Sequence, residues 1–103
     1  MKRVRVSLQA KRDLDNIWHF VATDASSMDV ADRVTNSIVA HFALLAKQPR
    51  SGRIREDIDP GVRSFRSGSY LIYYRESRSN LMISRILHCR RDQSSAWRKS
   101  ETT

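Results

Sequence analysis

His88 can exchange a proton near neutral pH, and Arg63, Arg85 and Arg90 could form a constellation with it. An imidazole among guanidinium groups is equipment for cleaving a phosphodiester. The ring serves as base or acid, and the cations take up the charge that builds on the phosphoryl oxygens. His88 and Arg85 are therefore the catalytic candidates; the plainer reading of a histidine at a strand end is a hydrogen-bonded structural residue. Cys89 has basic neighbours, Arg90 and Arg91, that could lower its pKa, but no partner base stands at a recognisable spacing. His19 and His41 fall on different predicted helices without further ligands at helical spacing, so no metal site is expected. Tyr70, Tyr73 and Tyr74 could stack bases, yet strand parity puts Tyr70 and Tyr74 on one face and Tyr73 on the other, so most of the cluster is expected to be packing.

Arg63 and Arg85 interrupt apolar strand patterns. A buried arginine needs an acidic partner, and Asp13 and Asp92 are the candidates. The two readings are a structural ion pair and an anchor for carboxylates of a partner protein. Trp18, at the edge of a helical apolar stripe, is either core or the lining of a groove that receives a partner.

The charge supports an anionic partner. The 103 residues carry a formal charge of +8, supplied by 15 Arg and 4 Lys against 11 acidic residues. Residues 1–60 contribute +2 and residues 61–103 contribute +6, so the basic half is expected to face nucleic acid, an acidic protein, or both in turn. The length suits one domain with one modest core. No apolar run reaches the roughly 18 residues of a membrane span. The basic start, Met1-Lys2-Arg3, is not followed by the apolar stretch of a signal peptide. The single cysteine and the missing leader make a cytoplasmic location the expectation.

The elements that must hold these residues follow from periodicity. Val4, Val6 and Leu8 alternate with polar residues and predict a short strand. Ser7 can cap the helix that follows, in which Ala10, Leu14, Ile17, Trp18 and Val21 form the apolar stripe while Lys11, Arg12, Asp13, Asp15 and Asn16 take the wet side. After a break over 23–29, a second helix starts near Met28 with Ser26, Ser27 and Asp29 as cap candidates. Its stripe is Ala31, Val34, Ile38, Phe42 and Leu45, and Pro49 ends it. A charged loop over 49–60 leads to strands over 62–66, 70–75 and 81–88, the first two joined through Ser67-Gly68-Ser69. The expected fold is α+β with the order β-α-α-β-β-β: an antiparallel sheet covered on one face by an antiparallel helical hairpin, with the first strand at an edge. The domain is expected over residues 1–92, and residues 93–103 are expected to form a polar, flexible tail, frayed or briefly helical, with Trp97 its only large apolar residue.

Five segments carry a family resemblance over about residues 4–92. They are Ala10-x-x-Asp13-Leu14-x-x-Ile17-Trp18, Pro49-x-x-Gly52-Arg53, Gly61-x-Arg63-x-Phe65, Gly68-x-Tyr70-Leu71-Ile72-Tyr73-Tyr74-Arg75 and Ile83-x-Arg85-Ile86-Leu87-His88-x-x-Arg91-Asp92. In this order and spacing they resemble the ParE branch of the RelE/ParE superfamily of type II toxin–antitoxin modules. The resemblance implies a small α+β toxin, a ParD-like antitoxin whose flexible acidic segment wraps it, a toxin–antitoxin hetero-oligomer, and DNA gyrase as the target. Trp18, Arg63, Tyr73 and Arg85 are the antitoxin-binding candidates, on the expectation that the antitoxin covers the sheet face away from the helices. Arg90, Arg91, Trp97 and Arg98 are the gyrase-contact candidates.

The RelE branch instead cuts mRNA on the ribosome, and the residues separate the two branches. Its two lysines before the Gly-Tyr turn align with Val62 and Ser64, its arginine after the turn tyrosine with Leu71, its late arginine with His88, and its last tyrosine with Ser94. Val62 and Leu71 cannot act as base or phosphate clamp. The resemblance therefore implies a protein-binding toxin rather than an enzyme, with no cofactor or metal. A ribosome-dependent mRNA endonuclease is the alternative, and a plain nucleic-acid-binding domain is the third reading.

Overall fold

The computed structural model describes residues 1–91 and 93–101, with side-chain surroundings given through Arg98. The elements are β1 (Arg3–Val6), α1 (Leu8–Asp24), α2 (Met28–Lys47), β2 (Arg53–Ile54), β3 (Arg63–Ser67), β4 (Tyr70–Glu76), β5 (Asn80–His88) and α3 (Gln93–Glu101), with a single 3₁₀ turn at Pro49–Ser51.

Both helix starts have local causes. Ser7 accepts a hydrogen bond from the Ala10 N–H at 3.0 Å, and Ser27 accepts one from Val30 N–H at 3.2 Å. Such a cap contributes about 1 kcal/mol. Ser7 also joins two elements: its N–H donates to the Ile83 carbonyl and its hydroxyl to the Ser84 carbonyl, where β1 hands over to α1. Leu8 therefore opens the helix instead of continuing the strand, and its side chain is exposed. The α1–α2 turn is tight enough to hold Ser26 at φ 50°.

The five strands run in the order β1-β5-β4-β3-β2. Three pairings are antiparallel, but β1 lies parallel to β5, with Val4 beside Leu81 and Val6 beside Ile83. The sheet is thus mixed, which corrects the all-antiparallel expectation. β5 and β3 therefore run in the direction of β1, and β4 and β2 run against it. The short β2, inside the segment expected to be loop, adds a two-residue edge against Arg63 and Ser64.

The main core lies between the hairpin and one face of the sheet. Ile17, Ile38, Phe42 and Leu45 meet Ile72, Tyr74, Leu81, Ile83 and Ile86 there. A bulge at Ser84 shifts the register, so that Tyr73 pairs with Arg85 while Tyr74 pairs with Ile83. The Tyr74 hydroxyl donates to the Pro49 carbonyl at 2.6 Å and accepts from Gly52 N–H at 2.8 Å, which fastens the Pro49-x-x-Gly52 turn to the sheet.

The segment expected to be a flexible tail, frayed or briefly helical, is a docked helix. Residues 93–101 form α3, which packs on the sheet face away from the hairpin. Burial of Ala96 and Trp97 against Val62, Tyr73 and Leu87 is the physical reason. Asp92, one expected partner for a buried arginine and the expected end of the domain, lies outside the described residues, as do Thr102 and Thr103.

Candidate functional site

The second sheet face gathers most of the residues singled out from sequence. Val62, Tyr73 and Leu87 form its floor, Ala96 and Trp97 its cover, and Ile58 and Leu71 pack at its rim. The Tyr73 hydroxyl donates to Gln93 Oε1 at 2.6 Å and accepts from Arg55 Nη1 at 3.2 Å. Two cations stack on its aromatic rings. Arg55 lies 5.6 Å from the Tyr73 centroid, and Arg75 lies 5.5 Å from that of Trp97. Arg75 is also held by Asp59. Arg55 forks onto Asp57 at 3.0 and 2.9 Å, and this hydrogen-bonded contact keeps the Asp57 carboxyl below its ordinary range. Burial pushes the Tyr73 phenol up.

Arg85 is a rivet at the sheet edge. Its Nε and Nη2 donate to the two Asp13 oxygens at 2.8 and 2.9 Å, and Nη1 donates to the Ala96 carbonyl at 3.0 Å. One Asp13 oxygen also accepts the Ile86 N–H at 2.9 Å. β1 pairs only with residues 80–83 of β5, so the rest of that edge lacks a neighbouring strand, and the Asp13 carboxylate takes a strand's place. Of the two readings open for Arg85, the structure shows the ion pair. Asp13, assigned from periodicity to the wet side of α1, is buried.

The other antitoxin-binding candidates are dispersed. Trp18 donates from Nε1 to Asp32 at 2.8 Å, which ties α1 to α2 on the far side of the molecule. Arg63 donates to the Gly52 carbonyl at 2.9 Å. Tyr73 is completely buried under α3. Among the gyrase-contact candidates Arg90, Arg91 and Arg98 are exposed. Trp97 is 5% exposed, so its ring has no free face for a partner while α3 is docked.

The catalytic candidates are not brought together. Arg85 pairs with Tyr73 and His88 with Tyr70, which puts them on opposite faces of the sheet. His88 Nδ1 accepts the Arg90 N–H at 3.1 Å, and its ring meets Tyr70 edge-on at 5.3 Å. Those contacts fit a strand-end structural residue. Val62 and Ser64, where the nuclease branch has lysines, are buried, and Leu71 packs against the cluster that contains Trp97. Among the described residues no three His, Cys, Asp or Glu side chains are grouped to hold a metal ion, and no helix is long and apolar enough to cross a membrane.

Sequence reasoning missed an open apolar groove on the hairpin side. Phe20 is 62% exposed and stands between two connected hollows, of about 590 Å³ and 250 Å³, that share Phe20, Tyr70 and His88 as walls. The available signal was Phe20 itself, a large apolar residue outside the stripe of α1.

Comparison with known proteins agrees with this architecture. A family model described as ParE toxin of type II toxin–antitoxin system, parDE, matches residues 4–93. The chain is 33% identical over 88 residues to toxin ParE1 of Caulobacter vibrioides, covering 85% of this chain and 90% of that protein. It is 30% identical over 91 residues to toxin ParE1 of Mycobacterium tuberculosis, covering 87% and 92%. A solved chain of a chromosomal ParDE system from P. aeruginosa superposes with a TM-score of 0.75 at 22% identity, covering 85% of this chain and 96% of that one. With a family match over nearly all of the folded domain and the same fold in a solved relative, the chain belongs to the ParE toxins of type II toxin–antitoxin systems.

Proposed function

We propose that this ParE-type toxin acts by binding DNA gyrase and trapping its cleaved-DNA intermediate, and that a ParD-like antitoxin neutralises it in a hetero-oligomer. One observation carries the gyrase reading over RNA cleavage. The positions that hold the base and phosphate clamp in the nuclease branch are here apolar or small, and α3 lies over that face: Val62 is 0% exposed and Leu71 packs against the same cluster. Burial keeps an RNA phosphodiester off this surface, and Val62 and Leu71 cannot take the proton of an attacking 2′-hydroxyl. Binding energy alone suffices for a poison of this kind, because holding an intermediate needs no proton transfer. The exposed Arg90, Arg91 and Arg98 are suited to contact an anionic complex.

The test is plasmid topology with purified gyrase, ATP and increasing amounts of the folded protein. Linear DNA that accumulates after protease digestion of the gyrase is the expected result. No linear DNA, together with discrete cuts in ribosome-bound mRNA that His88→Ala abolishes, would overturn the reading in favour of the endonuclease.

A further inference from the structure

We infer that the second sheet face, with α3 as its ridge, is a docking surface for duplex DNA that grips the phosphate backbone and reads no sequence. The inference goes beyond gyrase as the target, because it gives the toxin a direct contact with the nucleic acid itself. The closed floor of Val62, Tyr73 and Leu87 takes no part; the arginines that matter stand around its cover.

The charge is segregated by face. Residues 8–47, which form the α1–α2 hairpin, hold four basic and five acidic side chains, so the whole excess of +8 belongs to the sheet, its loops and α3. Strand register places it further. Val4 and Val6 pack toward the hairpin, so Arg3 and Arg5 point to the second face. Arg53 pairs with Ser64, the neighbour of Tyr73, and Arg66 pairs with Leu71, which puts both on that same face. Arg98 is exposed on α3, as the other four are on the strands. Among the described residues none of the five makes an ion pair. The loop beside them is largely neutralised, Asp57 by Arg55 and Asp59 by Arg75, with Glu56 its one acid outside such a pair.

The spacing fits a duplex. β1 and β2 are the two edges of the five-stranded sheet, so Arg5 and Arg53 stand four strand spacings apart, about 19 Å. α3 lies between them, over Tyr73 and Leu87. A helix with its side chains is about 10–12 Å across, and the major groove of B-DNA is about 12 Å wide. With the ridge in the groove, the arginines on either flank come down on the two phosphate strands that wall it.

The face lacks what other anionic partners require. A single-stranded RNA is held by stacking its bases on open aromatic rings, and here Tyr73 and Trp97 are 0% and 5% exposed. A protein partner needs apolar anchors near the centre of the contact. Met82 is the one large apolar strand side chain of this face that is exposed among the described residues.

The experiment titrates the whole toxin onto a fluorescein-labelled duplex of about 20 base pairs, read by fluorescence anisotropy between about 50 and 200 mM salt. Five phosphate contacts predict that log K falls with log salt at a slope of about −4.5. Arg3→Gln/Arg5→Gln on one flank and Arg53→Gln/Arg66→Gln on the other are each expected to weaken binding about tenfold at low salt and to reduce the slope by about 2. Arg12→Gln/Arg33→Gln removes the same charge from exposed positions on the hairpin and is expected to stay within about twofold. Duplexes of unrelated sequence are expected to bind alike. Thermal unfolding checks that each variant is folded, and either flank alone carries the test. A wild type that does not bind the duplex, flank variants that lose nothing, or a hairpin variant that loses as much as they do would overturn the inference. Tighter binding to a single-stranded RNA of the same length would assign the face to single strands and overturn it. Displacement of the duplex by polyglutamate at equal charge concentration would assign it to an acidic protein and overturn it as well. None of these outcomes bears on gyrase poisoning, which plasmid topology reads separately.

Discussion

Asp13 and Arg85 are separated by 72 residues in the chain, yet the guanidinium meets both carboxylate oxygens within 3 Å. The same pair binds the Ile86 N–H and the Ala96 carbonyl, so it joins α1, β5 and α3. Removing one partner leaves the other charge buried and uncompensated, at a cost of about 3–5 kcal/mol. Urea unfolding of Asp13→Ala and Arg85→Met should each show a loss of that size. The double variant should lose clearly less than the sum, because neither charge then remains.

Gly52 is required by a neighbour, not by its own backbone angles. A Cβ there would lie 2.4 Å from the Tyr74 hydroxyl and 2.9 Å from the Ser64 carbonyl. Gly52→Ala should therefore destabilise by about 1–3 kcal/mol through forced displacement. Tyr74→Phe removes the hydroxyl overlap but keeps the ring edge, whose Cε1 would lie 2.7 Å from that Cβ, and it orphans the Gly52 N–H, which costs a similar amount. The double variant tells the two effects apart. If overlap with the hydroxyl dominates, it should be no less stable than Gly52→Ala, as thermal unfolding would report.

Trp97 is the main apolar tie of α3. Trp97→Ala should cost about 3–5 kcal/mol if α3 melts with the rest of the fold. If α3 opens by itself, the loss should instead appear as faster amide exchange confined to α3 and to Val62, Tyr73 and Leu87, with the hairpin core still protected. Hydrogen exchange separates these outcomes.

Tyr70, Tyr73 and Tyr74 all have phenols pushed up, in each case chiefly by burial. The sign follows from linkage. Below the unfolded tyrosine value, near 10, both states are protonated and the stability is fully present. Above it the unfolded chain ionises first, so stability falls as pH rises toward the folded values. Denaturant midpoints should be insensitive to these groups at pH 7–9 and fall beyond pH 10. The fall should be shallower in Tyr73→Phe.

Much of the fold is legible in local chemistry. Ser7, Ser27 and Pro49 mark helix ends through hydrogen bonds and ring geometry that act within a few residues, and Gly68 marks the β3–β4 turn by adopting φ 60°. What escapes the sequence depends on distant partners. The alternation of Val4 and Val6 identifies a strand but is the same whether its neighbour runs parallel or antiparallel. Asp13 looks like a wet-face residue until Arg85 arrives from the other end of the chain. α3 has one large apolar residue, and its docking depends on a hollow that Tyr73 and Leu87 create. The groove exists only where α1, α2 and the β3–β4 turn converge, so Phe20 alone marks it. The ParE resemblance reached the family without that geometry, whereas the placement of binding residues on the second sheet face did not anticipate its cover.

The parallel contact between β1 and β5 has a consequence for biosynthesis. The first strand waits for the last one, and Val6 finds Ile83 only after the 76 intervening residues exist. At roughly 5–20 residues per second that delay is about 4–15 s. During it the nascent chain has its hairpin but no sheet edge for α1 to lie on, and the β5 side of the groove is absent. A chain that stalls or is truncated before β5 therefore lacks both the parallel neighbour of β1 and the arginine that meets Asp13, so it should not reach the folded state.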